Sequence, residues 1–173
     1  MSKWYMLTVI GRDRPGIVAR VTSALYQAGC NLGEASMLRL GGNFTIMLMV
    51  QAGDGADTLN KALAPVIEDL SLDCHVVGID GSLHRHMEPD VRITVFGADR
   101  AGIVARVTTA LAGAGLDILD LESDVAGSES EPVYVMHMEG RALNGVDPLQ
   151  EALDALSEQG IETRITPVDT MMG

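Results

Sequence analysis

Two copies of a Gly-x-Asp-Arg-x-Gly sequence are the residues of this 173-residue chain best suited to chemistry. They are Gly11, Asp13, Arg14 and Gly16, then Gly97, Asp99, Arg100 and Gly102. A loop of this kind feeding a helix gathers unpaired backbone N–H groups at the helix N-terminus, a ready site for a small carboxylate. Gly11 and Gly97 would permit a tight exit from a strand, and Gly16 and Gly102 the close approach of a ligand or another backbone. Fifteen residues after each second glycine stand Asn31 and Asp117, at the start of what reads as the next strand and expected beside the loop. A carboxylate on the N–H groups with an ammonium on Asp13 or Asn31 oxygens is how a free α-amino acid is recognised. The same residues read equally well as a helix cap, Asp13, with Pro15 in the first turn and a turn-forming Asn further on. The residues leave that choice open.

Other candidates carry less. Gly11 and Gly16 have the spacing that opens a P-loop, but Ile17 and Val18 stand where Lys and Ser or Thr are required. His84 and His86 flank Arg85 without a placed third ligand, so no metal site is expected. Asp120, Glu122 and Asp124 alternate along one strand and share a face, without a calcium-binding turn around them. They read as a solvated strand or as a docking surface for a basic partner. Met47, Met49, Met136 and Met138 alternate too and read as core or sheet filler. His137 is a structural histidine or a pH-sensitive contact, and Cys30 a buried small hydrophobe. Nothing assembles a nucleophile, a base and an oxyanion hole, so no enzyme and no cofactor are expected.

The elements that must position these residues occur twice. Residues 7–32 return as 93–118, 86 positions later, with 16 of 26 identical. Residues 46–50 match 135–139 at an offset of 89, which would set His137 where the first copy has Leu48 and add three residues in the preceding turn. Each copy reads β-α-β-β-α-β. In the first, strands are expected at 4–10, 31–40, 44–51 and 75–79. One helix begins after Asp13 and stops at Gly29, and a second carries Leu59, Leu63, Val66 and Leu70 on one face. A hairpin turn at Gly41-Gly42-Asn43 joins the middle strands. The second copy repeats this at about 92–97, 101–114, 117–126, 132–139, 147–159 and 161–168. The fold class is therefore α+β: two tandem ferredoxin-like units, each a four-stranded antiparallel sheet with two helices on one face. The expected domains are 1–81 and 91–173, with a polar linker at 82–90. The open face of each sheet needs covering, by the other copy or across a homodimer.

Charge is divided unequally. Of 12 basic and 24 acidic residues, residues 1–86 hold seven and eight, a net of −1, and residues 87–173 hold five and sixteen, a net of −11. Asp117, Asp120, Glu122, Asp124, Glu129 and Glu131 supply much of the excess. Such a chain repels a polyanion, which argues against direct nucleic-acid binding. Hydrophobic residues make up 47% and aromatics 3%, so the core must be aliphatic. The longest apolar run, 46–50, is too short for a membrane span, and strand-like sequence from Trp4 leaves no signal peptide expected. Two cysteines without metal or redox spacing read as free thiols, and the expected location is cytoplasmic.

The Asp13-Arg-Pro-Gly-Ile-Val18 loop, its helix and Gly29-Cys-Asn31 resemble the ACT domain, a small-molecule-binding regulatory module. Two units cover nearly the whole chain. With Gly42-Asn-Phe-Thr45 the arrangement is similar to the glycine cleavage system transcriptional repressor family. That resemblance implies a non-enzymatic regulator that senses a small amino acid, glycine or serine, and controls transcription by contacting a LysR-type activator. It implies ligand contacts at Gly11, Asp13, Arg14, Gly16 and Asn31, and at Asp99, Gly102 and Asp117, at an interface between two domains. In the second copy Ala101 replaces Pro and Asp117 replaces Asn, which opposes a ligand carboxylate. Two alternatives remain: a ligand-free interaction module, or a regulatory subunit acting in trans on an enzyme. The second arises because formyltetrahydrofolate deformylase begins with a similar ACT unit.

Overall fold

A computed structural model describes residues 3–53, 55–80, 87–98, 102–128 and 131–168. The chain divides into two compact units, Met1–Arg85 and His86–Gly173. The first runs β1 (Lys3–Arg12), α1 (Ile17–Gln27), β2 (Asn31–Leu40), β3 (Asn43–Ala52), α2 (Ala56–Leu70) and β4 (Asp73–Ile79). The second runs β5 (Val91–Ala98), α3 (Ile103–Gly113), β6 (Leu116–Ser128), β7 (Glu131–Ala142), α4 (Val146–Ser157) and β8 (Glu162–Pro167). The sheets have strand orders β2-β3-β1-β4 and β6-β7-β5-β8, and the described pairings are antiparallel. The expected β-α-β-β-α-β fold is present twice.

Strand alternation and helix periodicity make each core. Leu7, Val9, Ile46, Leu48 and Val50 turn one face of the first sheet onto Ile17, Val21 and Leu25 of α1 and Leu59 and Leu63 of α2. Ile93, Val95, Met136 and Met138 do the same against Val107, Leu111, Leu149 and Leu153. At roughly 1.5–3 kcal/mol for each fully buried aliphatic side chain, these layers are the main stabilising term of both units.

The register corrects the sequence alignment of the two copies. Leu7 pairs with Leu48 and Ile93 with Met138, so β7 corresponds to β3 at an offset of 90, not 89. A slip of one residue exchanges the faces of a strand. His137 therefore matches exposed Met47 rather than buried Leu48, and Met136 and Met138 are core while Met47 is exposed. The four added residues do not make a longer turn. They lengthen the strands, because Ala126, Gly127 and Ser128 pair with Val133, Pro132 and Glu131. In the first hairpin Gly41 and Gly42 form a two-residue turn with positive φ at both positions, and Asn43 already pairs with Leu40.

Helix starts also differ from expectation. Asp13 does not cap α1. The N-cap is Gly16, in the left-handed region at φ 89°, and no side chain caps the helix. Gly102 plays the same part for α3 at φ 87°. Gly11 lies within β1 rather than ending it, and a Cβ there would stand 2.5 Å from Leu72 Cδ2. It is needed for packing against the α2–β4 corner.

Candidate functional site

At the end of the first sheet, the loop leaving β1 turns over the start of α1 and meets the β2–β3 hairpin. The backbone N–H of Asp13 donates to the Gly42 carbonyl at 3.0 Å, which fixes the loop to the hairpin. Arg39, on the helix side of β2, donates from Nε to Asp13 Oδ2 at 2.8 Å and also from Nη2. The Asp13 side chain is 21% exposed and that of Arg39 67%. A cleft of about 470 Å³ opens here, with Asp13, Arg14, Gly16, Met37, Arg39 and Phe44 among its walls. The N-terminus of α1 contributes partial positive charge to it.

These features make an electrically mixed cleft. A carboxylate has two guanidinium groups and backbone N–H groups to meet, and an ammonium has Asp13. That set matches a zwitterion of amino-acid size. Asp13, Arg14 and Gly16 are brought together as the sequence suggested; Arg39 is the residue that sequence reasoning missed. Its only signal was a lone basic residue in the otherwise uncharged stretch 35–43.

Asn31 does not join them within the unit. It pairs with Gln51, which pairs with Trp4, whereas Arg39 pairs with Phe44 beside Gly11. Eight residues of strand, roughly 25 Å, separate Asn31 from the cleft. Its Nδ2 donates to Gln51 Oε1 at 3.4 Å. The expectation that the start of this strand lies beside the loop is wrong, because β2 runs toward the loop and only its far end arrives there.

In the second unit Asp99, with Arg100 and Ala101, lies outside the described residues. Gly102 caps α3, and Asp117 pairs opposite Arg141 at the far end of its sheet, repeating the separation. Val125 holds the place of Arg39, since it pairs with Tyr134 as Arg39 pairs with Phe44. Among the described residues, the register position of Arg39 therefore carries no guanidinium in the second unit.

Asp120, Glu122 and Asp124 do share a face. They stand opposite Glu139, His137 and Val135 on the open side of the second sheet. Arg92 Nε donates to Glu139 Oε1 at 2.8 Å, and Thr94 Oγ1 lies 3.2 Å from His137 Nδ1. A shallow cleft of about 360 Å³ runs among these groups. Among the described residues, no group of three or more His, Cys, Asp or Glu is arranged to hold a metal ion, and no helix is long and apolar enough to cross a membrane. Cys30 and Cys74 are free thiols, and burial raises the pKa of each above its ordinary value.

Duplicated four-stranded sheets with paired helices and a Gly-capped loop define a class. Residues 5–82 match the ACT domain and residues 91–160 match it again, so the chain belongs to the ACT-domain family as a tandem pair. The glycine cleavage system transcriptional repressor of Escherichia coli is 27% identical over 139 residues, covering 79% of this chain and 72% of that protein. A UPF0237 protein of Listeria monocytogenes is 36% identical over 74 residues, 41% of this chain and 83% of its own length. A solved structure of an unknown protein from Galdieria sulphuraria shares the whole fold. Its TM-score is 0.73 at 25% identity, covering 98% of this chain and 100% of that one. The chain is a regulatory ACT-domain protein.

Proposed function

We propose that this protein senses a small α-amino acid, glycine or serine, and adjusts transcription by contacting a protein partner, without catalysis of its own. The observation that carries this is the Asp13–Arg39 pair at the N-terminus of α1. An internal ion pair of this kind presents the two charges that a zwitterion needs. The ligand carboxylate would take Arg39 and the helix N–H groups, and its ammonium would take the freed Asp13. Gly11 and Gly16 shape the loop, and Arg14 adds a second cation. Asn31, at the far end of β2, would reach such a ligand only from a second copy of the chain, which is why a homodimer belongs to the proposal. In the second unit Asp99, Gly102 and Asp117 would form a weaker site, for want of an Arg39 equivalent.

The resemblance to a repressor of the glycine cleavage system supports transcription as the process controlled. The partner would be a LysR-type activator, met through Asp120, Glu122 and Asp124, with no direct contact to nucleic acid or membrane and with the cytoplasm as the location. Ligand binding shifts the arrangement of the units only as far as its affinity differs between the two arrangements.

Thermal unfolding against the common amino acids tests this. Glycine or serine should raise the midpoint, by about 2.7 kcal/mol of stability at 100 times its Kd, and Arg39→Gln should abolish the shift. One observation favours a second interpretation, a ligand-free interaction module: the Asp13 carboxylate is already satisfied by Arg39. No shift with any amino acid would select it.

A further inference from the structure

The open faces of the two sheets are built on matching positions and carry opposite chemistry. By register, Met6, Met47 and Met49 of the first sheet correspond to Arg92, His137 and Glu139 of the second. On the edge strands, Ser36 and Leu38 correspond to Glu122 and Asp124. The second unit thus demonstrates that this fold accepts charge at these places. Packing within a unit does not require the first face to be apolar.

Yet it is apolar, and open. Ile10 is 47% exposed, Leu38 51%, Met47 46% and Val77 46%, and all lie on this side of the sheet. The Trp4 ring extends the patch toward the edge, since a Cβ on Gly33 would lie 3.0 Å from it and 3.2 Å from Met49 Cβ. From Trp4 to Ile10 on β1 and from Thr45 to Gln51 on β3, no residue on this face carries a charge. Arg12 and Asp73 stand at its margin, and His75 lies on this face opposite Thr8. A continuous exposed apolar surface of this kind marks an interaction site.

We propose that the open face of the first sheet is a self-association surface, on which two copies of this chain pack sheet against sheet. Charge selects the occupant. An acidic face such as that of the second sheet would bury Asp120, Glu122 and Asp124 against methionine and leucine, which is strongly unfavourable. Two copies meeting through their second units would bring together halves of net charge −11, whereas the first halves carry only −1 each. An identical face carries its charges only at the margin, is available once per chain, and can meet itself about a two-fold axis. Aligned sheets interdigitate their side chains across such an interface.

Sedimentation equilibrium of the full chain, with no amino acid present, tests this independently of the ligand proposal. The wild-type chain should be a dimer whose association is insensitive to salt. Met47→Glu with Val77→Glu should weaken association by at least about 100-fold, because each carboxylate would lose water without a partner. Both positions are exposed, so a cooperative unfolding transition should persist; Met47→Gln gives a smaller loss of association if the double variant does not fold. Glu122→Lys with Asp124→Lys should leave dimerisation unchanged. A wild-type chain that stays monomeric at all concentrations overturns the proposal. So does an unweakened dimer in the Met47 variants, as edge-to-edge pairing through β2 would give.

Discussion

Arg39 on β2 holds the carboxylate of Asp13, 26 residues earlier in the chain, and so ties the loop before α1 to the β2–β3 hairpin. Because the Arg39 side chain is two-thirds exposed, the pair contributes no more than about 1 kcal/mol to stability. Its weight is in placement. It decides where the Asp13 oxygens stand and what an incoming zwitterion must displace.

Asp13→Asn and Arg39→Gln should each lower stability by less than about 1 kcal/mol, with a coupling of similar size in the double variant. Urea unfolding of the four proteins measures this. A coupling of several kcal/mol would mean a structural clamp rather than an exchangeable pair.

The register makes a sharper prediction in β7. Met138→Ala should cost about 2–5 kcal/mol, as should Leu48→Ala in β3, because both leave cavities between sheet and helices. His137→Ala should cost less than about 1 kcal/mol, since it faces outward. Denaturant midpoints in the reverse order would restore the offset of 89.

Two glycines of the same loop should fail for different reasons. Gly11→Ala places a Cβ against Leu72 and should cost about 1–3 kcal/mol through overpacking. Gly16→Ala meets nothing within 4 Å but must hold φ near 89°, a strain of roughly 1–2 kcal/mol. Gly16→Asn should recover part of that loss, and Gly11→Asn none; thermal midpoints distinguish them.

The thiols set an alkaline limit. Burial raises the pKa of both Cys30 and Cys74, so the folded state disfavours the thiolates. Their contribution is complete below the ordinary thiol range and is lost as pH rises through the raised folded values. Stability should therefore fall above that range, and less so in Cys74→Ala, as pH-dependent urea unfolding will show. Iodoacetamide should react slowly with the native chain at pH values where a free thiol reacts readily.

Much of this protein was written in local sequence. The duplicated Gly-x-Asp-Arg-x-Gly loops, the three-and-four spacing of Ile17, Val21 and Leu25, and the alternation in β3 each specify an element through short-range geometry, and two such sets specify two ACT units. Strand register was written there only in part. In 132–139 the polar His137 and Glu139 share one phase and Tyr134, Met136 and Met138 the other, a signal that aligning the two copies at an offset of 89 overrode. Pairing with β5 fixed that Met136 and Met138 face the helices.

The site divides along the same line. Asp13, Arg14 and Gly16 are neighbours in the chain, and their grouping followed from the sequence. That Arg39 closes the cleft, and that Asn31 lies at the far end of its own strand, followed from strand direction, which the antiparallel sheet imposes over distances of tens of residues. The contrast between an apolar and a charged open face likewise needed both registers, because only cross-strand pairing shows which side chains share a surface.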